Sequence, residues 1–454
     1  MKKTAYIRDM TQGSILRHIL AFAFPLLIGN LFQQLYNVVD TMVVGYRLGD
    51  PAIAAIGATV SLYSMIVDFA CDLNNGYGII VTQRFGAGDP KQMRKAVAGM
   101  MELNLIAGII IPTLALVFLR PLLGLMNTPA DIFEQSYAYI SIICAGIPVT
   151  IAYNMFASIL RSVGNSRTPL VFLIISSLLN VVLDILLVWG WDMGIGGAAL
   201  ATVLAQLTAT LLSGGYVWKN YREYLPRKAD LRVPGKLVVT LLLSGGSLAL
   251  MSVVVEFGTV IFQSAANLLG EMYITAHSSA RRLLVMMVQP IISLSVANMT
   301  FIGQNWGAKK FHRVRPAIKT ANILEILWGA FAAFVLFFFG EALIRFTTGT
   351  TDPEVLHNGV VSLRINCVLY PVLGVLFCLR NTMQAMGHKI IPVLSSVIEL
   401  LMKLLAVALF IPQWGFIGVC ITEPVTWVIM TSFLIISFLI CQKKWFKEAE
   451  SLTA

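Results

Sequence analysis

The sequence predicts an all-α polytopic membrane protein, with twelve transmembrane helices in two six-helix lobes related by a pseudo-twofold axis along the membrane normal. Three observations predict this fold. The composition is apolar, since 57% of the 454 residues are hydrophobic and only 12% are charged. Such a chain is too apolar for a soluble domain and too long for a single membrane anchor. The other two observations are a series of apolar segments and an internal repeat.

Each apolar segment is long enough to cross about 30 Å of hydrocarbon as a helix. We expect no secretory signal peptide, because the polar residues 1–14 lack a short apolar core followed by a small-residue cleavage site. The twelve predicted segments cover residues 15–46, 52–82, 96–119, 132–160, 169–189, 195–217, 237–263, 277–302, 317–339, 355–379, 391–411 and 416–441.

Lysine and arginine are distributed unequally between the loops. With both termini in the cytoplasm, 26 of the 33 basic residues lie in inner regions, and the outer loops hold three, Arg47, Arg120 and Arg345. This bias predicts a multi-pass protein with both termini cytoplasmic. Because the basic residues are scattered between apolar segments, they do not form the basic groove with interleaved aromatic residues that nucleic-acid binding requires.

The two halves of the chain repeat in sequence. Because each half contains six segments, we expect parallel repeats. The polar, basic residues 219–236 separate the halves, so the sequence predicts an N-terminal lobe over 1–218, a cytoplasmic linker over 219–236 and a C-terminal lobe over 237–454. The matched residues are Gly49 and Gly270, Gln83 and Gln304, Gly86 and Gly307, and Ala87 and Ala308 at an offset of 221, with Glu102 and Glu325, Gly164 and Gly387, and Pro169 and Pro392 at an offset of 223.

Polar residues form a stripe along the first segment, where they recur every three to four residues and therefore share one helix face. The fifth segment repeats this pattern with Ser176, Asn180 and Asp184, and the fourth and sixth segments add Asn154, Thr202 and Gln206. The residues of the first stripe are Asn30, Gln33, Gln34, Asn37, Asp40 and Thr41.

A charged side chain that faced lipid near the bilayer centre would cost about 2.5–3.5 kcal/mol. We therefore expect both stripes to face the lobe interior or water, where they could enclose a pocket of oxygen ligands around Asp40 and Asp184. The alternative is that each polar group only bridges helices by hydrogen bonds. That alternative suits a single Asn, whereas function is favoured for the two carboxylates.

Further charged residues lie inside the segments. Asp68 and Asp72 in the second segment and Arg281 and Arg282 in the eighth suit structural and functional roles equally. We expect Glu102 and Glu325 to snorkel or to anchor the nearby basic inner loops.

In the C-terminal half, Glu399 and Lys403 stand four residues apart in the eleventh segment and are expected to form a structural ion pair. Glu256 in the seventh segment and Glu423 in the twelfth remain open as sites for a cationic drug or a proton.

Several functions lack their usual sequence motifs. The six cysteines lie within or at the edge of apolar segments without metal-ligand spacing, so we expect packing residues and neither a disulfide framework nor a zinc site. The chain has no G-x-x-x-x-G-K-[ST] motif for ATP, and its five histidines form neither H-E-x-x-H nor a triad-like group. The sequence therefore predicts no enzymatic activity.

Four stretches carry a family resemblance that spans the whole chain and is clearest in its N-terminal half. They are "GSILRHILAFAFPLLIGNLFQQLYNVVDTMVVGYRLGDPAIAAIGAT", "VTQRFGAGDPKQMRKAV", "LRSVGNSRTPL" and "NVVLDILLVWGWDMGIGGAALAT". They resemble the bacterial MATE family of multidrug and toxic-compound extrusion transporters. The resemblance implies alternating access in a bacterial plasma membrane and export of organic, often cationic, compounds in exchange for H+ or Na+.

The resemblance also implies a coupling-cation site formed by Asp40, Asn180, Asp184 and Thr202, which would be a metal site only with Na+ as the coupling ion. Two carboxylates in one pocket cannot both ionise cheaply, which suits a proton carrier, and the neutral oxygens suit Na+ equally. Some family members instead place an acid in the seventh helix, which Glu256 matches, and an Asp in the tenth, which this chain lacks.

We expect substrate contacts at Gln34, Tyr36, Asn37, Asn154 and Glu256. No cofactor is expected beyond the coupling ion, and the expected partners of the monomer are small organic substrates and the lipid bilayer, without nucleic acid. A flippase or exporter for lipid-linked precursors or metabolites, from the same wider superfamily, is the alternative, because Arg281, Arg282 and Arg364 could line a cationic cleft. A channel is disfavoured, because no repeated pore ring or re-entrant filter segment is visible.

Overall fold

The computed structural model describes residues 6–126, 128–350 and 352–451, without the side chains of Asn37, Glu448 and Glu450. All regular secondary structure in these residues is helical, and they contain no strand. The α-helices are α1 (Ile15–Leu48), α2 (Asp50–Gly86), α3 (Pro90–Leu125), α4 (Ala130–Ser162), α5 (Arg167–Asp184), α6 (Gly194–Asn220), α7 (Gly235–Asn267), α8 (Glu271–Gly307), α9 (Phe311–Thr348), α10 (Pro353–Cys367), α11 (Tyr370–Ala385), α12 (Ile390–Leu405), α13 (Ile411–Trp414) and α14 (Phe416–Ser451).

The helices agree with the predicted transmembrane segments. In the described part of the chain, eleven helical spans are long and apolar enough to cross a membrane, and α10 with α11, bent by 49°, makes a twelfth when counted as one span. The predicted tenth segment ends at residue 379, but α11 continues to Ala385. Arg380 follows the predicted apolar segment and was therefore counted among the basic residues of the inner regions. The structure places it inside α11.

The chain divides into two compact units, and the division passes through two helices. One unit comprises Met1–Asp9 and Ile28–Ser252, and the other comprises Met10–Leu27 and Val253–Ala454. Helix α1 changes unit shortly after Pro25, a residue that cannot donate a backbone hydrogen bond inside a helix. Since these units follow packing, they do not test the lobe boundaries expected from the repeat, which stay a prediction.

Each unit has its own apolar core. In the second unit, Ile19 and Phe22 from the first half of α1 pack into a cluster with Phe301 and Met383. In the first unit, Leu241 from the first half of α7 packs with Tyr77 and other residues of α2, α3 and α4. The first half of α1 therefore packs into the core of the second unit, and its second half belongs to the first unit. For α7 the order is reversed: its first half packs into the core of the first unit, and its second half belongs to the second.

The sequence repeat recurs in local structure. Gly49 and Gly270 have φ values of 75° and 110° and precede α2 and α8, where a left-handed residue allows the chain to turn sharply between two helices. Both α5 and α12 continue into a π-helical turn, Ile185–Gly190 and Ala406–Phe410 respectively. The two halves thus share helix starts and one irregular turn at matching positions.

One expected role is wrong. The sequence comparison paired Glu102 with Glu325, and both were expected to snorkel or anchor loops. Glu325 is instead fully buried and accepts a hydrogen bond from Ser295 Oγ at 2.9 Å. At the offset of 221 its counterpart is Asn104, which donates to Asn74 Oδ1 at 2.8 Å across the corresponding helices. The carboxylate is buried in contact with a neighbouring helix, so it cannot serve as a surface anchor.

The linker between α6 and α7 folds against α3. Arg94 Nε lies 2.8 Å from Asp230 Oδ2, and the backbone N–H of Arg227 donates to the same oxygen at 3.1 Å. This backbone hydrogen bond, together with the Arg94 charge, holds the pKa of Asp230 below its usual range. The linker therefore has a defined attachment to the end of a transmembrane helix.

Helices α2 and α7 approach so closely that only glycine fits between them. A Cβ added at Gly245 would lie 2.3 Å from Tyr77 Cε1 and 2.8 Å from the carbonyl oxygen of Leu73. The same atom added at the adjacent Gly246 would meet nothing within 4 Å. Small residues at such crossings allow helix backbones to pack closely in membranes.

We predict that Gly245→Ala destabilises the protein, because the new methyl group overpacks the α2–α7 crossing at a cost of about 1–3 kcal/mol. Gly246→Ala is the matched control and should be neutral or stabilising by up to about 1 kcal/mol, since alanine favours the helix. Thermal unfolding of the purified variants in detergent checks both. Equal unfolding temperatures for the two variants would show that the helices do not cross in this way.

Candidate functional site

One face of α1 runs along α5, the following π turn and the start of α6. Four residues of α1 at positions 36, 40, 43 and 47 share this face, because their spacings of three and four follow the helical turn. We call this row of contacts the α1 seam. Its contacts are Tyr36 Oη with Thr202 Oγ1 at 3.4 Å, the Asp40 carboxyl with the Asp184 carboxyl, Val43 O with Trp189 Nε1 at 3.3 Å and Arg47 Nη2 with Asp192 Oδ1 at 3.0 Å.

The structure brings together the four residues expected to hold a coupling cation. The carboxyl groups of Asp40 and Asp184 lie close enough to interact directly with each other. In the amide orientation that satisfies both neighbours, Asn180 donates to Asp184 Oδ2 at 2.8 Å and accepts from the backbone N–H of Thr202 at 3.1 Å. The two carboxyl groups, an amide and a hydroxyl therefore form one connected group at the centre of the α1 seam.

This group is enclosed by the protein. Asp184 and Asn180 are 0% and 1% exposed, and Asp40 is 8% exposed. One oxygen of each carboxyl group, Oδ1 of Asp40 and Oδ1 of Asp184, is buried without a hydrogen-bond partner among the described residues. A buried acceptor without a partner is costly, so each of these oxygens can stabilise a proton or a cation placed beside it.

Two tyrosines near the carboxyl pair were not anticipated from the sequence. Tyr63 of α2 and Tyr139 of α4 both lie within electrostatic range of Asp40, and Tyr139 is 7% exposed. Each tyrosine stands in a long apolar run, where an aromatic residue ordinarily contributes packing. No spacing in the sequence distinguishes them, because their approach to Asp40 depends on how α2 and α4 pack against α1.

The residues expected to contact substrate are not gathered in one place. Tyr36 belongs to the α1 seam, and Gln34 is exposed on α1. The side chain of Asn37 lies outside the described residues. Asn154 donates to the carbonyl oxygen of Thr150 at 2.9 Å. Glu256 is half-buried in the part of α7 that belongs to the second unit, where it makes no hydrogen bond or ion pair with described residues.

A second polar network crosses the first unit. Arg161 Nη2 donates to Asn75 Oδ1 at 3.1 Å, and Asn75 Nδ2 donates to Asp72 Oδ1 at 3.0 Å. The other oxygen of Asp72 accepts a hydrogen bond from Ser252. This network joins α4, α2 and α7, so the structure gives Asp72 a bridging role between helices. Neighbouring Asp68 lies within electrostatic range of both Tyr63 and Cys71.

The second unit contains the predicted pair of Glu399 and Lys403, with Oε1 and Nζ 3.0 Å apart. The pair has further partners that the sequence did not indicate. Lys403 Nζ also donates to Thr259 Oγ1 of α7 at 2.8 Å, and Arg380 Nη2 of α11 lies 3.8 Å from Glu399 Oε2. We call Arg380, Glu399 and Lys403 the basic triad.

The remaining charged candidates do not join this triad. Glu423 is half-buried and lies within electrostatic range of His277 and Tyr370. Arg281 is half-buried and also lies near His277, while Arg282 is exposed. Arg364 is exposed, and its Nε donates to the carbonyl oxygen of Phe337 at 3.3 Å.

Comparison with known proteins matches both halves of the chain to one family. The MatE family model matches residues 25–186 and again 247–409. The "Probable multidrug resistance protein YoeA" of Bacillus subtilis is 25% identical over 394 residues, which cover 85% of each chain. A "FAD transporter" of Shewanella oneidensis is 23% identical and covers 91% of this chain and 92% of its own.

A solved structure has a similar fold. The protein described as "MATE in the bent conformation" superposes with a TM-score of 0.89 at 20% identity and covers 99% of both chains. This likeness supports the helical architecture. The double match of the family model follows the sequence repeat, since the two matched regions start 222 residues apart.

We predict that Glu399→Gln destabilises the protein by about 3–5 kcal/mol, because it leaves the cations of the basic triad buried without their acid. Adding Lys403→Met should recover part of this loss, since one cation then remains. Thermal unfolding in detergent and membrane abundance measure both effects.

The matched control for this prediction is Glu341→Gln. Glu341 forms an i, i+4 pair with Arg345 at 2.8 Å, but both side chains are 58% exposed. Removal of such an exposed pair should cost about 1 kcal/mol or less. The pairing would be refuted by a double variant of the triad that is no more stable than Glu399→Gln alone.

Proposed function

Because the chain belongs to the MatE family, we propose that it is a secondary active antiporter that exports organic, often cationic, compounds in exchange for H+ or Na+. The observation that supports this proposal best is the contact between the Asp40 and Asp184 carboxyl groups inside helices that are apolar enough to span a membrane. Buried carboxyl groups are rare in such helices and mark ion or proton pathways.

The geometry around the pair supplies the chemistry that coupling needs. Two carboxyl groups in contact repel each other when both are ionised, so a proton or a monovalent cation between them relieves the repulsion. Thr202 adds a neutral hydroxyl oxygen, a hard ligand of the kind that alkali cations accept, and the amide N–H of Asn180 holds Asp184 in place. Binding of a cation is therefore favourable, and the site with both carboxyl groups ionised and no cation bound is unfavourable.

Coupling requires that the affinity for the cation differ between the inward-facing and the outward-facing state. A ligand shifts a conformational equilibrium only by its differential affinity for the two states. We propose that the α1 seam holds Asp40 against Asp184 in one state and separates them in the other, which changes cation affinity and, by linkage, substrate affinity. The exchange of cation for substrate then drives export without ATP.

We also propose that the protein lies in the bacterial plasma membrane with both termini in the cytoplasm. The support is the charge bias, since the outer regions of this topology hold three of the 33 lysines and arginines, Arg47, Arg120 and Arg345. Export from the cell then uses the inward gradient of H+ or Na+. The alternative of a precursor flippase keeps the same fold and orientation but replaces the organic cation with an anionic headgroup.

We predict that Asp40→Asn and Asp184→Asn each abolish gradient-driven export, because asparagine keeps the size and hydrogen bonding of the side chain but removes its charge. Export of ethidium from proteoliposomes with imposed H+ or Na+ gradients should fall at least about tenfold at equal protein abundance. Ethidium binding to the detergent-purified variants should persist, because binding depends on other side chains.

Glu134→Gln serves as the control variant. Glu134 lies outside the α1 seam, with its side chain 70% exposed in an ion pair with Arg120 at 2.9 Å, and its removal should leave export unchanged. Wild-type export by Asp40→Asn would refute the coupling role, and export that depends on neither gradient would refute antiport itself.

A further inference from the structure

The basic triad contains more positive than negative charge. Lys403 is 4% exposed as a side chain, Arg380 is 11% exposed and Glu399 is 17% exposed. Glu399 is the one acid within ion-pair distance of either cation among the described residues. The triad therefore carries one net positive charge in the interior of helices that span the membrane. Such a charge is unfavourable unless an anion balances it at some stage.

The two cations also retain hydrogen-bonding capacity. Arg380 Nε donates to Ser395 Oγ at 3.1 Å, but its Nη2 is buried without a hydrogen-bond partner, since Glu399 lies beyond hydrogen-bonding range at 3.8 Å. Lys403 uses two of its three N–H donors, toward Glu399 and Thr259. Donors remain on both sides of Glu399, where a second group of acceptor oxygens would satisfy them.

We propose that Arg380 and Lys403 form a binding site for the anionic group, a carboxylate or phosphate, of an amphiphilic substrate. Glu399 then acts as the internal counter-ion that holds the site together when no substrate is bound. Arginine and lysine are the side chains that bind such oxyanions most strongly, and Arg380 offers the guanidinium nitrogen Nη2 that Glu399 leaves without a hydrogen bond. This proposal rests on the proposed function, because it assumes that the protein transports organic compounds, and it adds zwitterionic and anionic substrates to the cationic class.

The test uses two ligands that differ at one group. A zwitterionic rhodamine with a free carboxylate and its methyl ester have the same aromatic body, and their binding to the full-length protein in detergent is measured by fluorescence anisotropy. We expect Lys403→Gln and Arg380→Gln each to weaken binding of the acid by about tenfold or more, while binding of the ester changes less than about twofold. Lys443→Gln removes an exposed cation of the same unit and should affect neither ligand.

Glu399→Gln provides a test that keeps both cations. Without the internal counter-ion, the acid should bind this variant several-fold more tightly than wild type and raise its unfolding temperature more, whereas the ester should do neither. Equal losses of acid and ester binding in the Lys403 and Arg380 variants would identify the triad as purely structural and overturn the proposal. Unchanged acid binding in all three triad variants would overturn it as well.

A lipid headgroup carries the same chemistry as an anionic substrate, and competition separates the two sources. Displacement of the acid by soluble benzoate supports a substrate site, whereas displacement by phosphatidylglycerol alone would assign the site to lipid and overturn the substrate assignment. These binding measurements need no ion gradient. Failure of antiport therefore leaves the anion site intact, and failure of the anion site leaves antiport intact.

Discussion

The proximity of the Asp40 and Asp184 carboxyl groups is the constraint on which the proposed ion coupling depends. Two carboxyl groups inside apolar helices repel each other when both are charged and lose hydration as well, so they are tolerated only where the surroundings hold them and a proton or cation visits them. The α1 seam supplies that support through contacts on either side of the pair. Asn180 donates a hydrogen bond to Oδ2 of Asp184. Oδ1 of Asp40 and Oδ1 of Asp184 have no hydrogen-bond partner among the described residues.

The two halves of the chain solve the same problem of buried charge in different ways. The first half concentrates negative charge at Asp40 and Asp184, which an exchangeable cation can neutralise. The second half has no acid at the position that matches Asp40, where Ile261 stands at the offset of 221, and it carries the largely buried cations Arg380 and Lys403. The charge of Lys403 is compensated from within by Glu399, at 3.0 Å. The two halves therefore differ in the sign of the charge that each of them buries.

The helices and the carboxyl site could be predicted because both depend on local sequence. An apolar run of sufficient length specifies a span, and a polar stripe at helical spacing specifies a face, so Asp40, Asn180, Asp184 and Thr202 were found without a structure. The family resemblance added the coupling role that we propose for them.

The features that escaped prediction depend on packing between helices. Arg380 follows an apolar segment and so resembled a loop residue, but α11 extends past it to Ala385. Tyr63 and Tyr139 reach Asp40 only because of how their helices cross. The position of Glu325 close to a basic loop in the sequence suggested a surface role. In the structure its side chain is buried and accepts a hydrogen bond from Ser295 of α8. Periodicity identifies the face of a helix but not the neighbour that this face meets.

The α1 seam surrounds the carboxyl pair with contacts that carry little or no charge. Tyr36 and Thr202 on one side of the pair, and Val43 and Trp189 on the other, make neutral hydrogen bonds at 3.4 and 3.3 Å. The Arg47 and Asp192 pair beyond them is exposed and contributes little energy. Repulsion between Asp40 and Asp184 is therefore the part of the seam that would change when the pair binds a cation, as we propose. The neutral hydrogen bonds would then keep α1 in register while the two carboxyl groups approach or separate.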